Sequence, residues 1–424
     1  MKNSRHVFSI EEMHTFAKHM ICPREIKGQN LNNLGSLGLT HFEAYPYSER
    51  LKKNNVSSDP SLLLDEMIRV FSKEIDPSKE VVILLSDGKD SMSLAIALSK
   101  MKIKCKTLTL LRNGDHSLRD FVQQKALELG HTPYFVDVEQ IFKEYDKETF
   151  LNACREMDNP VLDQGFLFFV FAIKIFFKNN ELEPTSCQFI DGLGNDEYLG
   201  YLPSKSQLRA FKLSKLKLWK YVPESMNWLK WYLRSPAEAQ GDLSALACFY
   251  SFNHALDINK YFSRIPSRST SEFVDFRAFS RGNFHDHQCM IGKTKSAAHS
   301  FGAEILYPWT DPTLASYCFN LPSQEKYDFD RLVNKICLRK LLKSELEWEQ
   351  EKRGIDLFFD IDLDVIKSWI DEFVDYDVYK RILVSGYLPN SVRKRAMLEL
   401  LNLCGYLYVN GMDKNSIKNL LLDY

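Results

Sequence analysis

The sequence predicts an α/β protein with a doubly wound, mainly parallel sheet, followed by a mostly helical lobe. Between residues 80 and 138, short apolar runs alternate with amphipathic helical runs in a β-α-β-α-β series. Such alternation with short connections is typical of parallel strands joined by crossover helices. Beyond Tyr201 the patterns become helical almost throughout. We therefore divide the chain into a short N-terminal segment (residues 1–58), an α/β lobe (59–201) and a helical lobe (202–424).

The α/β lobe begins with a helix, and its first strand follows. Asp59-Pro60 is a helix start signal, and Pro77 comes just after the helix end. The predicted apolar face of this helix carries Leu64, Ile68, Phe71 and Ile75. Residues 81–85 are all β-branched or Leu, and this run predicts a buried parallel strand. Residues 92–98 then predict an amphipathic helix.

The rest of this lobe repeats the same alternation. Its elements are predicted at residues 104–110 (strand), 118–129 (helix, ended by Gly130), 133–138 (strand), 166–178 (buried helix) and 187–190 (strand). Ligands of doubly wound sheets bind at the carboxyl ends of the strands. The residues that directly follow the strands are therefore the candidates for a functional site.

The composition excludes disordered and fibrous proteins, because 45% of the residues are hydrophobic and 26% are charged. A formal net charge of -1 argues against recognition of a polyanion by the whole surface, so we expect no nucleic-acid partner. The 9 cysteines are scattered without a C-x-x-C pair, which is typical of free thiols. The most apolar run, residues 166–173, is shorter than the roughly 20 residues of a membrane helix. We therefore expect a cytoplasmic protein without a membrane partner.

The first strand runs directly into a tight polar turn, Ser86-Asp87-Gly88-Lys89-Asp90-Ser91. The first amides of the following helix have no intrahelical partner, and together with the helix dipole they attract an anion. Ser86 and Ser91 can donate hydroxyl hydrogen bonds, Lys89 supplies a cation, and Asp90 can bind magnesium. An ordinary strand-to-helix turn with polar caps explains the same residues, and this alternative stays open.

The fourth strand enters a second glycine-rich polar turn, which contains Gly192, Gly194, Asp196 and Glu197. Because the carboxyl ends of parallel strands meet at one edge of a sheet, we expect Asp196 to lie near Asp90. Two carboxylates at this edge could hold one magnesium ion. The alternative is a solvated acidic turn.

Both turns are similar to motifs of one superfamily. The first resembles the pyrophosphate loop, S-G-G-x-D-S, of the ATP pyrophosphatase (PP-loop) superfamily, with Asp87 at the family's first Gly. The second resembles S-G-E-G-x-D-E-x-F-G-G-Y, a signature of the synthetase domain of asparagine synthetase. The matching residues are Gly192, Gly194, Asp196, Glu197, Gly200 and Tyr201. Leu193 stands at the family's Glu.

Further matches follow in the family's order. The motifs D-x-x-S-M, E-x-R-x-P-F-L-D, L-P, K-x-x-L-R and K-x-G-F are resembled by residues 285–290, 304–311, 321–322, 335–339 and 352–355. In the second of these, Leu306 stands at the family's Arg. Asp158-Asn159-Pro160 also precedes the second signature, as it does in the family. The resemblance covers about residues 60–354.

The resemblance implies an adenine nucleotide alpha hydrolase-like fold and an ATP-dependent, AMP-forming carbon-nitrogen ligase. Such an enzyme activates a substrate carboxylate as an acyl adenylate and transfers it to an amine. The implied cofactors are ATP and Mg²⁺, with the metal held by Asp90 and Asp196. The residues implied to bind the nucleotide are Leu84, Ser86, Asp87, Gly88, Lys89, Asp90, Ser91, Gly192 and Gly194. Lys352 is implied to stabilise negative charge that develops on the adenylate carbonyl, and Glu197 is the second implied catalytic residue.

We do not expect the family's glutaminase in this sequence. Asparagine synthetases use a cysteine exposed by removal of the initiator Met, but position 2 is Lys2 and the first cysteine is Cys22. The amine is therefore expected from free ammonia, from a separate subunit or from the substrate itself. The carboxylate substrate is expected to be a small molecule or a peptide.

Two other functions stay open. Asp87, Leu193 and Leu306 each depart from the family pattern, and a degenerate, non-catalytic nucleotide-binding partner subunit would tolerate all three. Another PP-loop reaction, such as sulfur insertion or base modification in nucleic acid, is less favoured. Those relatives typically carry cysteine pairs, which this sequence lacks.

Two further features have more than one interpretation. Residues 205–220 combine lysines and Arg209 with interleaved apolar residues. They form either the solvated face of an amphipathic helix or a docking face for an acidic peptide, polyphosphate or nucleic acid. His285 and His287 offer no third ligand, so we predict no zinc site.

Overall fold

The computed structural model describes residues 59–158, 160–161, 163–200, 202–223, 225–226, 233, 269–281, 290–348, 360–375, 378 and 390–422. The predicted N-terminal segment, residues 1–58, lies outside this set, as do residues 285–289 and Lys352.

A five-stranded sheet with strand order β3-β2-β1-β4-β5 forms the centre of the protein. Its strands are β1 (Glu80–Leu84), β2 (Lys106–Leu111), β3 (Thr132–Asp137), β4 (Cys187–Ile190) and β5 (Glu304–Leu306). All of the pairings are parallel, and β1 pairs with both β2 and β4. The predicted parallel α/β sheet is confirmed, and the strand that leads into the first polar turn is its central strand.

The central strand is buried on both faces, because its alternate side chains belong to two separate apolar cores. Val82 and Leu84 pack into one core, whereas Val81 and Ile83 pack into the other. Side chains of successive strand residues point to opposite faces, so an unbroken apolar run is required here. Burial of each of these side chains stabilises the fold by about 1.5–3 kcal/mol.

Helices cover both faces of the sheet. The face with Val81 and Ile83 is covered by α1 (Leu63–Glu74), α2 (Lys89–Lys100), α3 (His116–Glu128), α7 (Asp196–Leu199), α11 (Pro312–Asn320) and α13 (Ile336–Leu346). The opposite face is covered by α4 (Val138–Lys143), α5 (Lys147–Arg155), α6 (Gly165–Asn180), α10 (Ile291–His299), α14 (Leu363–Ile370), α15 (Asn390–Val409) and α16 (Lys414–Leu422). None of the helices within the described ranges is long and apolar enough to span a bilayer.

A small third cluster lies beside the sheet. It contains helices α8 (Lys205–Ser214) and α9 (Thr270–Arg281), whose Phe211 and Phe273 rings stack with centroids 4.1 Å apart. The remaining elements are α12 (Ser323–Lys326) and the antiparallel pair β6 (Tyr327–Asp328) and β7 (Val333–Asn334). Short 3₁₀ helices occur at Pro60–Leu62, Pro184–Ser186, Leu218–Tyr221 and Pro308–Thr310.

The first helix begins as predicted but buries a different face. The Asp59 side chain accepts a hydrogen bond from the Ser61 N–H and caps the helical segment. The buried residues are Leu63, Met67, Val70 and Phe71. The predicted face was wrong by about one residue, and Leu64, Ile68 and Ile75 lie partly buried at its edge. The buried stripe and the predicted stripe are both apolar and share Phe71, so the spacing of apolar residues alone does not choose between them.

The predicted basic helix ends earlier than its pattern indicates. Helix α8 stops at Ser214, and Lys217 adopts a left-handed backbone with φ 57°. Leu216 and Leu218 are consequently exposed rather than aligned on one apolar stripe with Leu208.

The fifth strand comes from the part of the chain that follows residue 201. β5 pairs with β4 through Gln188 opposite Glu304, and the Asp191 N–H donates to the Leu306 carbonyl. The sequence does not predict this strand, because three residues are too few to show the alternation of a strand. Helix α15 also packs on α5 against the same sheet. The two predicted lobes therefore share one sheet and its cores.

Candidate functional site

The first polar turn leaves the central strand at its carboxyl end. β1 ends at Leu84, and helix α2 starts at Lys89 with Gly88 as its N-cap residue. The Ser86 hydroxyl accepts a hydrogen bond from the Gly88 N–H at 3.0 Å, and the Ser91 hydroxyl accepts one from the Ser86 N–H at 3.2 Å. The two serines thus hold the turn closed around the start of α2.

The second polar turn passes directly against the first. A Cβ atom on Gly192 would lie 2.7 Å from the Ser91 nitrogen and 2.9 Å from the Ser91 Cα. Both are backbone atoms that cannot yield, so only glycine permits this approach. Gly194 has a φ of 109°, a conformation that other residues rarely adopt. Gly192 therefore determines how closely the two turns approach each other, and Gly194 permits the backbone conformation of the second turn.

The carboxylates of Asp90 and Asp196 lie close together at the edge of the sheet, as predicted, and both contact the ammonium of Lys335. The magnesium ion that they were predicted to share stays a prediction. The Lys335 Nζ is 2.7 and 2.6 Å from the two Asp90 oxygens and 2.5 Å from Asp196 Oδ1. Asn195 connects the same groups, because its amide nitrogen donates to Asp90 at 2.7 Å and its oxygen accepts from Lys335 at 2.9 Å. The sheet edge thus brings together residues that are far apart in the sequence.

Lys335 is held as a cation at this position. Burial would lower its pKa, but the Asp196 and Asp90 carboxylates outweigh that effect and raise the pKa above its ordinary value. The residue is 6% exposed and has a φ of 56° just before helix α13. A left-handed backbone and a buried charge both cost free energy. This conformation therefore persists only because the surrounding contacts stabilise it.

Asp191 follows β4 directly and forms a separate buried network. Its carboxylate accepts hydrogen bonds from the Thr294 hydroxyl at 2.6 Å and the Leu193 N–H at 3.2 Å. Thr294 also contacts the Tyr307 hydroxyl at 2.9 Å. Burial raises the pKa of Asp191, although the hydrogen bond from Thr294 and the nearby Lys293 charge oppose this effect. The network ties the second turn to helix α10 and β5.

A cavity of about 380 Å³ lies between the two turns and helix α6. Its walls near the turns combine polar loop atoms with apolar strand ends. These residues are Leu84, Leu85, Ser86, Asp87, Gly88, Asp90, Ser91, Leu108, Leu110, Asp191, Gly192, Leu193, Gly194, Asn195 and Asp196. A cavity of this size with a few polar groups among apolar walls is typical of small-molecule sites.

The far wall of this cavity carries charged groups on an apolar background. The Lys293 ammonium pairs with Asp163 at 3.1 Å, and both side chains are about one-tenth exposed. Arg395 Nε donates to the Gln164 side-chain oxygen at 2.6 Å. The remaining residues of this wall are Gly165, Phe168, Phe169 and Met290. The charge of the cavity is therefore not confined to the turns.

Most of the residues predicted for the site line this cavity. They are Leu84, Ser86, Asp87, Gly88, Asp90, Ser91, Gly192, Gly194 and Asp196. The Lys89 side chain instead lines a neighbouring pocket, on the other side of the first turn. Glu197 is buried in α7 at 1% exposure and is not among the residues that line the cavity. Lys352 lies outside the described residues.

The donor set of Asp90 and Asp196 fits a magnesium ion. Three carboxylate oxygens converge on one position, and oxygen is the ligand that this ion prefers. Among the described residues no group of three or more His, Cys, Asp or Glu side chains could hold a metal. The other ligands would then be water and phosphate, as is usual for magnesium. A metal at this position would replace the Lys335 ammonium as the shared cation.

Sequence reasoning missed several residues of the site. Lys335 begins the motif at residues 335–339, which by itself indicates no role for it, and Asn195 stands next to the predicted Asp196. The sequence carries a signal for both residues, because each lies within a motif. No motif marks Lys293 or Arg395, because only the packing of α10 and α15 brings them to the cavity.

The scan against protein-family models and the search of curated proteins found no match for this chain.

Proposed function

We propose that the protein is an ATP-dependent, AMP-forming ligase that activates a substrate carboxylate as an acyl adenylate and transfers it to an amine. The observation that supports this best is the convergence of Asp90, Asp196 and Lys335 beside the Ser86 to Ser91 turn. Paired carboxylates next to amides at a helix start suit a polyphosphate with a hard cation.

The residues that line the cavity support the proposal that a nucleotide binds at this position. The apolar ends of β1 and β2, Leu84, Leu108 and Leu110, would contact the adenine ring. The Ser86 and Ser91 hydroxyls and the first amides of α2 would bind the phosphates that leave as pyrophosphate. A substrate carboxylate would attack the α-phosphorus, and pyrophosphate would leave.

Lys335 has a specific part in this proposal. Its ammonium neutralises Asp90 and Asp196. With ATP present, Lys335 would exchange these partners for phosphate oxygens and stabilise the charge of the leaving group. Bound magnesium would supply further neutralisation of the pyrophosphate. Lys352 keeps the catalytic role implied by the resemblance, whereas Glu197 does not line the cavity and takes no part in the proposed reaction.

The test is product analysis with ATP, magnesium, a panel of carboxylic acids and hydroxylamine. Hydroxylamine traps acyl adenylates as hydroxamates, so the reaction requires no knowledge of the natural amine. We expect AMP and pyrophosphate in equal amounts with a hydroxamate from at least one acid. ADP as the main product would contradict the proposal. Asp196→Asn serves as a control, and we expect it to lose turnover.

A second candidate function is a non-catalytic nucleotide-binding subunit. It is favoured by Asp87, a residue that is 2% exposed and lines the cavity where polyphosphate would bind. A negative charge there opposes ATP unless a cation compensates. Isothermal titration would separate the two functions, since a partner subunit binds ATP but forms no AMP with any acid of the panel.

A further inference from the structure

Apolar residues line both the far wall of the cavity and the second polar turn. Phe168 and Phe169 belong to helix α6, and Met290 directly precedes helix α10. On the second polar turn, Leu193 lines the same cavity. Phe168 is fully buried, but the other three residues are only partly buried. The cavity therefore presents apolar surface to a ligand.

Two charged groups of the far wall are paired with each other. The Lys293 Nζ lies 3.1 Å from Asp163 Oδ1 and 5.7 Å from the centre of the Phe169 ring. The same Asp163 oxygen accepts a hydrogen bond from the Gly165 N–H at 2.7 Å. Because both charged side chains are only about one-tenth exposed, water does little to separate them. This pair is therefore neutral as a unit and fixed to the backbone of α6.

Arg395 is also engaged within the protein. Its Nε donates to the Gln164 side-chain oxygen at 2.6 Å and lies 3.7 Å from Glu399 Oε1. Asn402, on the same helix, donates to the Asp163 carbonyl at 2.8 Å. A polar group of a ligand would lose its water at this wall and would have to displace one of these contacts. An apolar group pays no such cost and gains the burial of its surface.

We propose that the far wall and Leu193 hold the acyl group of the substrate, and that this group is apolar. The substrate is then a carboxylic acid with an aliphatic or aromatic chain. The acyl site rests on the proposed function, since phosphates at the turns and adenine at the strand ends leave this wall for the acyl group. A chain with a charged or amide end is disfavoured, because the polar groups of the wall already have partners.

The experiment compares two unreactive analogues of an acyl adenylate, in which a sulfamoyl group replaces the phosphate. One analogue carries an isocaproyl chain and the other a succinamoyl chain. These chains have the same number of heavy atoms and differ only at the end, which is an isopropyl group in the first and a primary amide in the second. Calorimetric titration of the full chain measures the Kd of each analogue. We expect the isocaproyl analogue to bind the wild type about tenfold more tightly.

The variant Leu193→Asn tests the position of the acyl site. Asn is close to Leu in shape and brings a polar amide to the cavity wall. We expect the preference for the isocaproyl analogue to disappear, because its Kd rises about tenfold while that of the succinamoyl analogue does not. The matched control is Leu182→Asn, the same change at a partly buried leucine that is not among the residues lining the cavity. The control should keep the preference of the wild type.

The outcomes are distinct for the acyl site and for the proposed function. If the wild type binds the two analogues equally, or the succinamoyl analogue more tightly, the apolar substrate class is overturned and the proposed function stands. If Leu193→Asn keeps the full preference, the acyl site does not lie at this wall. If neither analogue binds the wild type, the proposed function fails, and the acyl site fails with it.

Discussion

Single residues determine the charge balance of the site, and Lys335 is the most important of them. It satisfies two carboxylates that would otherwise repel each other at the edge of the sheet. Asp90 is about one-fifth exposed and Asp196 two-fifths exposed, so water screens the pair only in part. The charge of Lys335 should therefore affect both the free energy of unfolding and the binding of a metal by the two carboxylates.

Replacement of Lys335 by Met should show how much its charge contributes to the free energy of unfolding. The variant keeps the side-chain length and loses the charge, so Asp90 and Asp196 face each other without a cation. We expect a loss of about 2 kcal/mol in the free energy of unfolding, less than for a fully buried pair. Magnesium should then restore stability, by about 2.7 kcal/mol at 100 times its Kd. The measurement is urea unfolding with and without magnesium.

The control for this variant is Lys340→Met, which removes an exposed cation from the same helix. It should show little loss of stability and no response to magnesium. If Lys335→Met also fails to respond to magnesium, the two carboxylates are not a metal site.

His131 should make the fold sensitive to acid. Its Nε2 lies 3.0 Å from the Ala95 carbonyl and its Nδ1 lies 3.2 Å from Cys105 Sγ. Burial, together with the nearby Glu80 charge, raises the pKa of Cys105 to about 12, so the thiol stays protonated and donates to Nδ1. Burial lowers the pKa of His131 despite the bond to Ala95. This pair is a structural contact rather than a nucleophile with its base.

The sign of the pH effect follows from that pKa. The folded protein disfavours protonation of His131. The free energy of unfolding is therefore highest above the unfolded pKa of about 6.5, and it decreases as the pH drops below that value. We expect the free energy of unfolding to decrease between pH 7 and pH 5 and His131→Asn to lose that part of the dependence. Urea unfolding across this range is the measurement. A constant difference between the two proteins at all pH values would contradict it.

At the scale of elements, the two polar turns act as one unit because Gly192 contacts the backbone of Ser91. Helices α2 and α7 start from these turns, and β1 and β4, which precede them, are neighbours in the sheet. The geometry of the site therefore depends on the spacing between two elements as much as on the identity of its charged side chains.

Gly192→Ala should separate the turns. The added methyl group would lie 2.7 Å from the Ser91 nitrogen, so the backbone must move. We expect a loss of about 1–3 kcal/mol in the free energy of unfolding and a clear loss of ATP affinity. Gly292→Ala is the control, since its methyl group would meet only a Val161 methyl, at 3.0 Å. Equal ATP affinity in both variants and the wild type would show that the spacing of the turns is unimportant.

The sequence predicted the elements whose signal is local. Residues 81–85 are apolar because β1 is buried on both faces, and β4 was predicted with its observed bounds, Cys187–Ile190. The proximity of Asp90 and Asp196 followed from the parallel sheet alone. Lys335, Lys293 and Arg395 could not be placed in this way, since long-range packing rather than local pattern brings each of them to the site.

At the scale of the whole molecule, one sheet connects distant parts of the chain. β5 completes the sheet beside β4, and α15 covers one face together with α5 and α6. The predicted boundary at residue 201 therefore passes through shared cores rather than between them.

A fragment of residues 59–201 should not fold on its own. It would expose one edge of β4 and the apolar surface that α14, α15 and α16 cover. We expect no cooperative thermal unfolding and rapid proteolysis, both of which co-expression with residues 202–424 should correct. Circular dichroism and limited proteolysis measure this. A cooperative transition in the isolated fragment would contradict the shared core.

The position of β5 and α15 also affects how the protein is made. A ribosome delivers the strands of this sheet in the order β1, β2, β3, β4 and then, more than a hundred residues later, β5. Until residue 306 emerges, the nascent chain carries an unpaired strand edge, and until about residue 409 it carries an uncovered apolar face. Such intermediates are prone to aggregate, so we expect the yield of folded protein to rise when chaperones are present during synthesis.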